Sequence, residues 1–290
     1  MRSSESLFLQ VRGLRYHVRR WPGASGRKIF LLHGWMDVSA SFQFVVDALA
    51  PDWDIHAPDW RGYGLSDWSG ADSYWFPDYI GDLDALLHAI EPDKPVNLVG
   101  HSLGANVAGL YAGIRPERVA RFVNLEGFGM PATKPDQAPR RYARWMDELK
   151  NEARWRPYES YEALADRLQQ NNARLTRDRA EFLARHWGKD GSEGGVVLRS
   201  DPAHKLVNAT LYRLDEARAC WERASAPVLW VDGAESETRT RMKLTDAELA
   251  ERRRAFRQVK YAVVENSGHM LHHDQPGQVA RLIEEFLAEG

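Results

Sequence analysis

Gly100-His101-Ser102-Leu103-Gly104 stands between a short apolar run at residues 96–99 and the small residues Ala105-Asn106-Val107-Ala108. A serine in a G-x-S-x-G turn, with a strand before it and a helix after it, is held with its hydroxyl exposed. The glycines are needed because a Cβ at either flank would strike neighbouring backbone. The helix that follows aims its N-terminal N–H groups and dipole at the same place. A serine hydroxyl needs a base to attack at neutral pH. Among ten histidines, His269 is the candidate: it lies in the loop Asn266-Ser267-Gly268-His269, which leaves an apolar run at residues 261–264. A loop at that end of a parallel strand is on the same rim as Ser102. Attack on an acyl carbon creates an oxyanion, which needs backbone donors. The N–H of Leu103 is one, and the loop His33-Gly34-Trp35, after the run at residues 28–32, supplies the other from Trp35. His272-His273-Asp274 raises the question of a metal. Adjacent histidines point in different directions and the sequence shows no distant third ligand, so neither a metal nor an organic cofactor is expected. His33, His56 and His101 read as structural or loop-lining groups.

These residues need a scaffold that brings strand ends together. Apolar runs at residues 28–32, 53–58, 96–99, 121–125, 227–231 and 261–264 alternate with helical stretches, the pattern of a parallel sheet covered on both faces. Ile80, Leu83, Leu86, Leu87 and Ile90 form one apolar stripe, and Val279, Leu282, Ile283, Phe286 and Leu287 another. Thr245-x-x-Glu248 reads as a capping box opening a charged helix. Residues 131–220 break the alternation and read as helices only, near 140–153, 161–170, 177–187 and 205–221. The expected division is therefore a core of residues 1–130 and 221–290, with a helical cap of residues 131–220 over the ligand crevice. With 39 Lys+Arg against 41 Asp+Glu, the chain has no field to attract nucleic acid or an anionic membrane. Cys220 is the single cysteine, and no run reaches the roughly 18–20 apolar residues of a membrane span. A cytoplasmic protein is expected.

Taken in order, His33-Gly34-Trp35, Asp59-Trp60-Arg61-Gly62-Tyr63-Gly64-Leu65-Ser66, the Ser102 turn and Gly268-His269 resemble the α/β-hydrolase superfamily over essentially the whole chain. His33-Gly34-Trp35-Met36-Asp37, with Ser41-Phe42 after it, is similar to the serine-hydrolase-like, esterase-like branch, near epoxide and haloalkane hydrolases. The resemblance implies a mostly parallel eight-stranded sheet flanked by helices, with an inserted helical cap. Epoxide and haloalkane hydrolases use an aspartate nucleophile, so Ser102 argues against both activities. The family's usual acid lies three residues after the glycine that follows the strand at 227–231; counting from Gly233 gives Ser236, which is no carboxylate. Two acids stay open. Glu126, in Asn124-Leu125-Glu126-Gly127, is at the family's other site, the end of the preceding strand, and is slightly preferred; Glu235 needs only a one-residue loop shift.

The expected activity is a serine hydrolase cleaving a small or medium carboxylic ester or thioester through an acyl-enzyme. Its partner is a small apolar or aromatic ester, with Trp75, Tyr142 and Trp145 as candidate pocket residues. Two alternatives are another reaction on the same residues (C–C hydrolysis, lyase chemistry or perhydrolysis) and a non-catalytic ligand- or partner-binding member of the fold.

Overall fold

The computed structural model describes residues 1–289. Ten strands run β1 Glu5–Val11, β2 Leu14–Trp21, β3 Lys28–Leu32, β4 Asp54–Pro58, β5 Val96–His101, β6 Val119–Leu125, β7 Gly188–Asp190, β8 Val196–Leu198, β9 Val228–Gly233 and β10 Val259–Val264. The helices are α1 Gln43–Ala48, α2 Phe76–Ile90, α3 Leu103–Ile114, α4 Ala138–Glu148, α5 Tyr161–Asn171, α6 Arg177–Trp187, α7 Leu214–Trp221, α8 Glu237–Arg241, α9 Asp246–Arg254, α10 Leu271–Asp274 and α11 Pro276–Ala288. Eight strands form one sheet in the order β1-β2-β4-β3-β5-β6-β9-β10. All neighbours from β4 to β10 pair in parallel; β1 and β2 are antiparallel, joined by a turn in which Arg12 and Gly13 both have positive φ. That is the hairpin turn whose twist suits the flanking strands.

Strands covered on both faces read as unbroken apolar runs. Ile29, Phe30, Leu31 and Leu32 of β3 are all buried, as are the side chains of β9. On one face α2, α3, α7 and α9 close a core that includes Leu83, Val107, Phe122, Trp221, Trp230, Leu249 and Phe256. On the other, α1 and α11 pack Val45, Val46, Val279, Ile283 and Phe286 against Leu31, Val99 and Val231. The Thr245–Glu248 capping box forms at the start of α9.

Between β6 and β9 the chain builds a separate small core from Leu164, Leu168, Ala180, Leu183, Ala184 and Val196. Two features depart from the sequence reading of this stretch. It is not purely helical, because β7 and β8 pair as an antiparallel hairpin. And α7, assigned to the cap by its position in sequence, packs on α3 and contributes Ala217 and Trp221 to the main core. The small core is built by α5, α6 and the hairpin. It is fastened to the core by Gly64 N–H to the Arg199 carbonyl at 2.7 Å, Tyr74 O–H to Asp201 at 2.6 Å and Asn172 to Asp274 at 2.7 Å. No described helix is long and apolar enough to cross a membrane.

Candidate active site

Parallel strands deliver their C-terminal ends to one rim, and four of those ends carry a non-glycine residue in the left-handed backbone region. Met36 follows β3, Ser102 follows β5, Glu126 follows β6 and Asn266 follows β10. Positive φ in such residues costs of order 1–3 kcal/mol and survives only where surrounding structure enforces it. At Ser102 (φ 50°, ψ −111°) the enforcing contacts are visible. Its N–H donates to the Leu125 carbonyl at 2.9 Å and its own carbonyl accepts from Asn106. A Cβ on Gly104 would stand 2.1 Å from the Leu32 carbonyl oxygen, and one on Gly100 would stand 2.5 Å from Ala105 Cα. The two glycines therefore let α3 start directly against β3, as the sequence motif requires.

His269 lies between Ser102 and Glu126. Its Nε2 is 3.0 Å from Ser102 Oγ and its Nδ1 is 3.0 Å from Glu126 Oε2. The carboxylate is fully buried and every oxygen is engaged. Oε1 accepts the Gly233 N–H at 2.7 Å, and Oε2 also accepts the Ser236 hydroxyl. Burial outweighs the Ser236 and Gly233 donors, which pull the other way, and pushes the Glu126 carboxyl up to about 8. With donors on both oxygens the ionised form fits this geometry, since an added proton would displace one of them. Burial holds His269 at about 4, so at neutral pH the ring is an uncharged base. With Nδ1–H donated to Glu126, Nε2 presents its lone pair to the serine.

The loop that carries His269 is pinned at several points. Gly268 N–H donates to Asp274 Oδ2 at 2.9 Å, Ser267 O–H donates to the Val264 carbonyl at 2.8 Å, and His101 Nε2 donates to the His269 carbonyl at 2.8 Å. On the opposite side of Ser102, the loop after β3 passes so close that a Cβ on Gly34 would be 3.3 Å from Ser102 Cβ. Trp35 and Met36 form the turn of that loop, and Leu103 is the first residue of α3. Leu103 N–H has no partner within the helix by construction. The arrangement can present a nucleophile, a neutral base, an anionic orienter and backbone donors to one reacting carbon.

Two sequence expectations need correction. Glu235 is not at His269: its carboxylate pairs with Arg174 on the surface, because the loop after β9 turns Ser236 inward and Glu235 out. Trp75 and Tyr142 do come together, lining a groove of about 650 Å³ with Ile80, Leu110 and Tyr212, but Ser102 and His269 do not line it. Leu110 lies eight residues along α3 from Ser102, about 12 Å at 1.5 Å per residue. Trp145 does not line that groove either and is half-buried. Helical spacing places these rings on shared faces but does not say which side of the molecule the faces meet. Ser236, Gly233 and Asp274 were missed as supports. The signal for Ser236 was its place at the family's usual acid position, where a hydroxyl now donates to the acid on the next strand.

A family profile described as alpha/beta hydrolase fold matches residues 28–276. A serine hydrolase-like protein of Danio rerio is 28% identical over 275 residues, covering 92% of this chain and 83% of the relative. A serine hydrolase-like protein of Dictyostelium discoideum is 27% identical over 297 residues, 96% of this chain and 79% of the relative. Among solved structures, the thioesterase domain from the curacin biosynthetic pathway superposes with a TM-score of 0.87 at 23% identity, covering 98% of this chain and 99% of that one.

Proposed function

Because this chain belongs to the α/β-hydrolase family, we propose that it is a serine hydrolase that cleaves a small or medium carboxylic ester or thioester through an acyl-enzyme. One observation carries the reading: both ring nitrogens of His269 are engaged at 3.0 Å, one with Ser102 Oγ and the other with the buried Glu126.

Ser102 Oγ attacks the acyl carbon as its proton passes to His269 Nε2. The imidazolium that forms is stabilised by Glu126, which keeps Nδ1 protonated throughout. The carbonyl oxygen becomes an oxyanion held by the N–H groups of Leu103 and Trp35, and donors fixed in advance stabilise that charge without reorganising. The tetrahedral species collapses, the bond to the alcohol or thiol breaks, and His269 returns its proton to the leaving oxygen or sulfur. Water then attacks the acyl-serine with its proton going to His269, which afterwards gives it to Ser102. Apolar surface beside the nucleophile supports an apolar acyl or alcohol group: Trp35 is 56% exposed on the adjacent loop, and Met36 and Leu103 are half-buried.

Turnover of p-nitrophenyl esters and of acyl thioesters, with product analysis, tests the reading. Expected are the free acid and the alcohol or thiol, formed by wild type and not by Ser102→Ala. A folded wild type that turns over none of them, or products from C–C cleavage instead, would overturn it.

A further inference from the structure

His272 and His273 take no part in the hydrogen-bonded chain at Ser102, and in sequence they have no distant partner. The fold supplies two for His272. It is fully buried and meets Asp37 from the loop after β3 and His101 from the end of β5, both 1% exposed. Among the described residues these three are the group whose potential ligand atoms gather, all within 4.8 Å of one another.

Asp37 Oδ2, His101 Nδ1 and His272 Nε2 all lack a hydrogen-bond partner. A buried polar atom left without a partner is costly, so three facing one another call for a shared partner. Their protonation states narrow what that partner is. His101 Nε2 donates its hydrogen to the His269 carbonyl at 2.8 Å, so a neutral His101 turns the lone pair of Nδ1 into the cluster. Asp37 Oδ1 is already occupied by the Val38 N–H at 2.8 Å and by the Ser41 hydroxyl, which leaves Oδ2 as a free acceptor. Two acceptors therefore converge, and a hydrogen on His272 Nε2 would serve only one of them. A cation would satisfy all three.

We propose that Asp37, His101 and His272 form a site for one divalent transition-metal ion of the zinc type, distinct from the Ser102 hydroxyl. Two imidazole nitrogens and a carboxylate oxygen are a donor set that such ions take, with bonds of about 2.0–2.2 Å. Ligand atoms then stand roughly 3.3–3.5 Å apart in a tetrahedral site. Asp37 Oδ2 and His272 Nε2 are already 3.4 Å apart, and all three ligand atoms lie within 4.8 Å of one another. Gly34 keeps the approach to its Nδ1 open, because a Cβ there would stand 2.8 Å from that nitrogen. At two of the three the outer contacts fit, since a ligating histidine ordinarily donates its other N–H to a carbonyl, as His101 does, and a ligating carboxylate is itself hydrogen-bonded, as Asp37 is; His272 Nδ1 has no partner. Since His101 holds the His269 carbonyl, an ion on His101 stiffens the loop that carries the catalytic base. The proposal stands on these three side chains and does not depend on the reaction performed at Ser102.

The test uses full-length protein stripped with a chelator, then titrated with Zn²⁺ by calorimetry and with Co²⁺ by visible absorption. One ion per chain is expected, with a melting temperature that rises as Zn²⁺ is added and Co²⁺ bands of a low-symmetry nitrogen–oxygen site. Asp37→Asn and His272→Gln should each weaken binding at least tenfold. Absence of stoichiometric binding to wild type, or affinity unchanged in variants with wild-type circular dichroism, overturns the site. Should a variant fail to fold, the wild-type Co²⁺ spectrum decides: that of the hexaaqua ion refutes it.

Discussion

Replacing Glu126 by glutamine separates the role of the buried acid from that of its neighbour on the surface. The glutamine amide has the size of the carboxylate, but one of its two oxygens becomes an NH2 group. Gly233 N–H donates to Oε1 and requires an acceptor there, so the amide oxygen is drawn to that side. The NH2 group is then left facing His269 Nδ1, where the wild type has an acceptor. The ring responds by carrying its hydrogen on Nε2, which makes Nε2 a donor to Ser102 Oγ and removes the base. Loss of the orienting carboxylate in a Ser–His–acid site lowers kcat by up to about 10⁴-fold. The expected fall here is about 10³–10⁴-fold in kcat/KM, or roughly 4–5.5 kcal/mol of transition-state stabilisation. Glu235→Gln, at an exposed pair with Arg174, should stay within about twofold of wild type, as exposed ion pairs contribute little. The assay is steady-state hydrolysis of one p-nitrophenyl ester by both variants, with circular dichroism to check the fold. A Glu126→Gln enzyme within tenfold of wild type, or a Glu235→Gln enzyme equally impaired, would refute the reasoning.

Other outcomes follow from the same contacts. Gly104→Ala forces a Cβ to 2.1 Å from the Leu32 carbonyl oxygen, so it should cost more than about 3 kcal/mol in urea unfolding or prevent soluble expression. Tyr142→Ala, in the groove remote from Ser102, should leave KM for a short-chain p-nitrophenyl ester within about twofold. His204 is stacked between Tyr63 and Tyr74 with both centroids 3.8 Å away, and burial lowers its pKa to about 3. Below the unfolded-state value near 6.5 the unfolded chain therefore binds a proton that the folded chain refuses. The stability is whole above that pH and is lost as pH falls. Urea midpoints measured between pH 4 and 7 should show His204→Gln losing a slope of up to about 1.4 kcal/mol per pH unit.

What sequence reveals here follows from how local each feature is. The Ser102 turn was legible because its steric demand lies within five residues and their immediate neighbours, and β3 and β9 because two-sided burial leaves an unbroken apolar run. The choice between Glu126 and Glu235 was not, since it depends on which way the loop after β9 turns, and both carry the same charge on neighbouring strand ends. The β7–β8 hairpin was missed because its strands are three residues long, although Gly191, Gly194 and Gly195 between them were a turn signal. α7 lies within the stretch near 205–221 that reads as helix, of which only Leu214–Trp221 is helical, and a helical reading does not say whether the helix faces a cap or the main core. The meeting of His272 with Asp37 and His101 joins residues from three separate stretches of chain, and no spacing rule covers that.

The most direct measurement of the proposed chemistry is intact-protein and peptide mass spectrometry after reaction with a fluorophosphonate. One adduct per chain, located on Ser102 and absent from Ser102→Ala, is the predicted result. A folded wild type that takes up no label, or carries it on another residue, would contradict the assignment of Ser102 as the nucleophile.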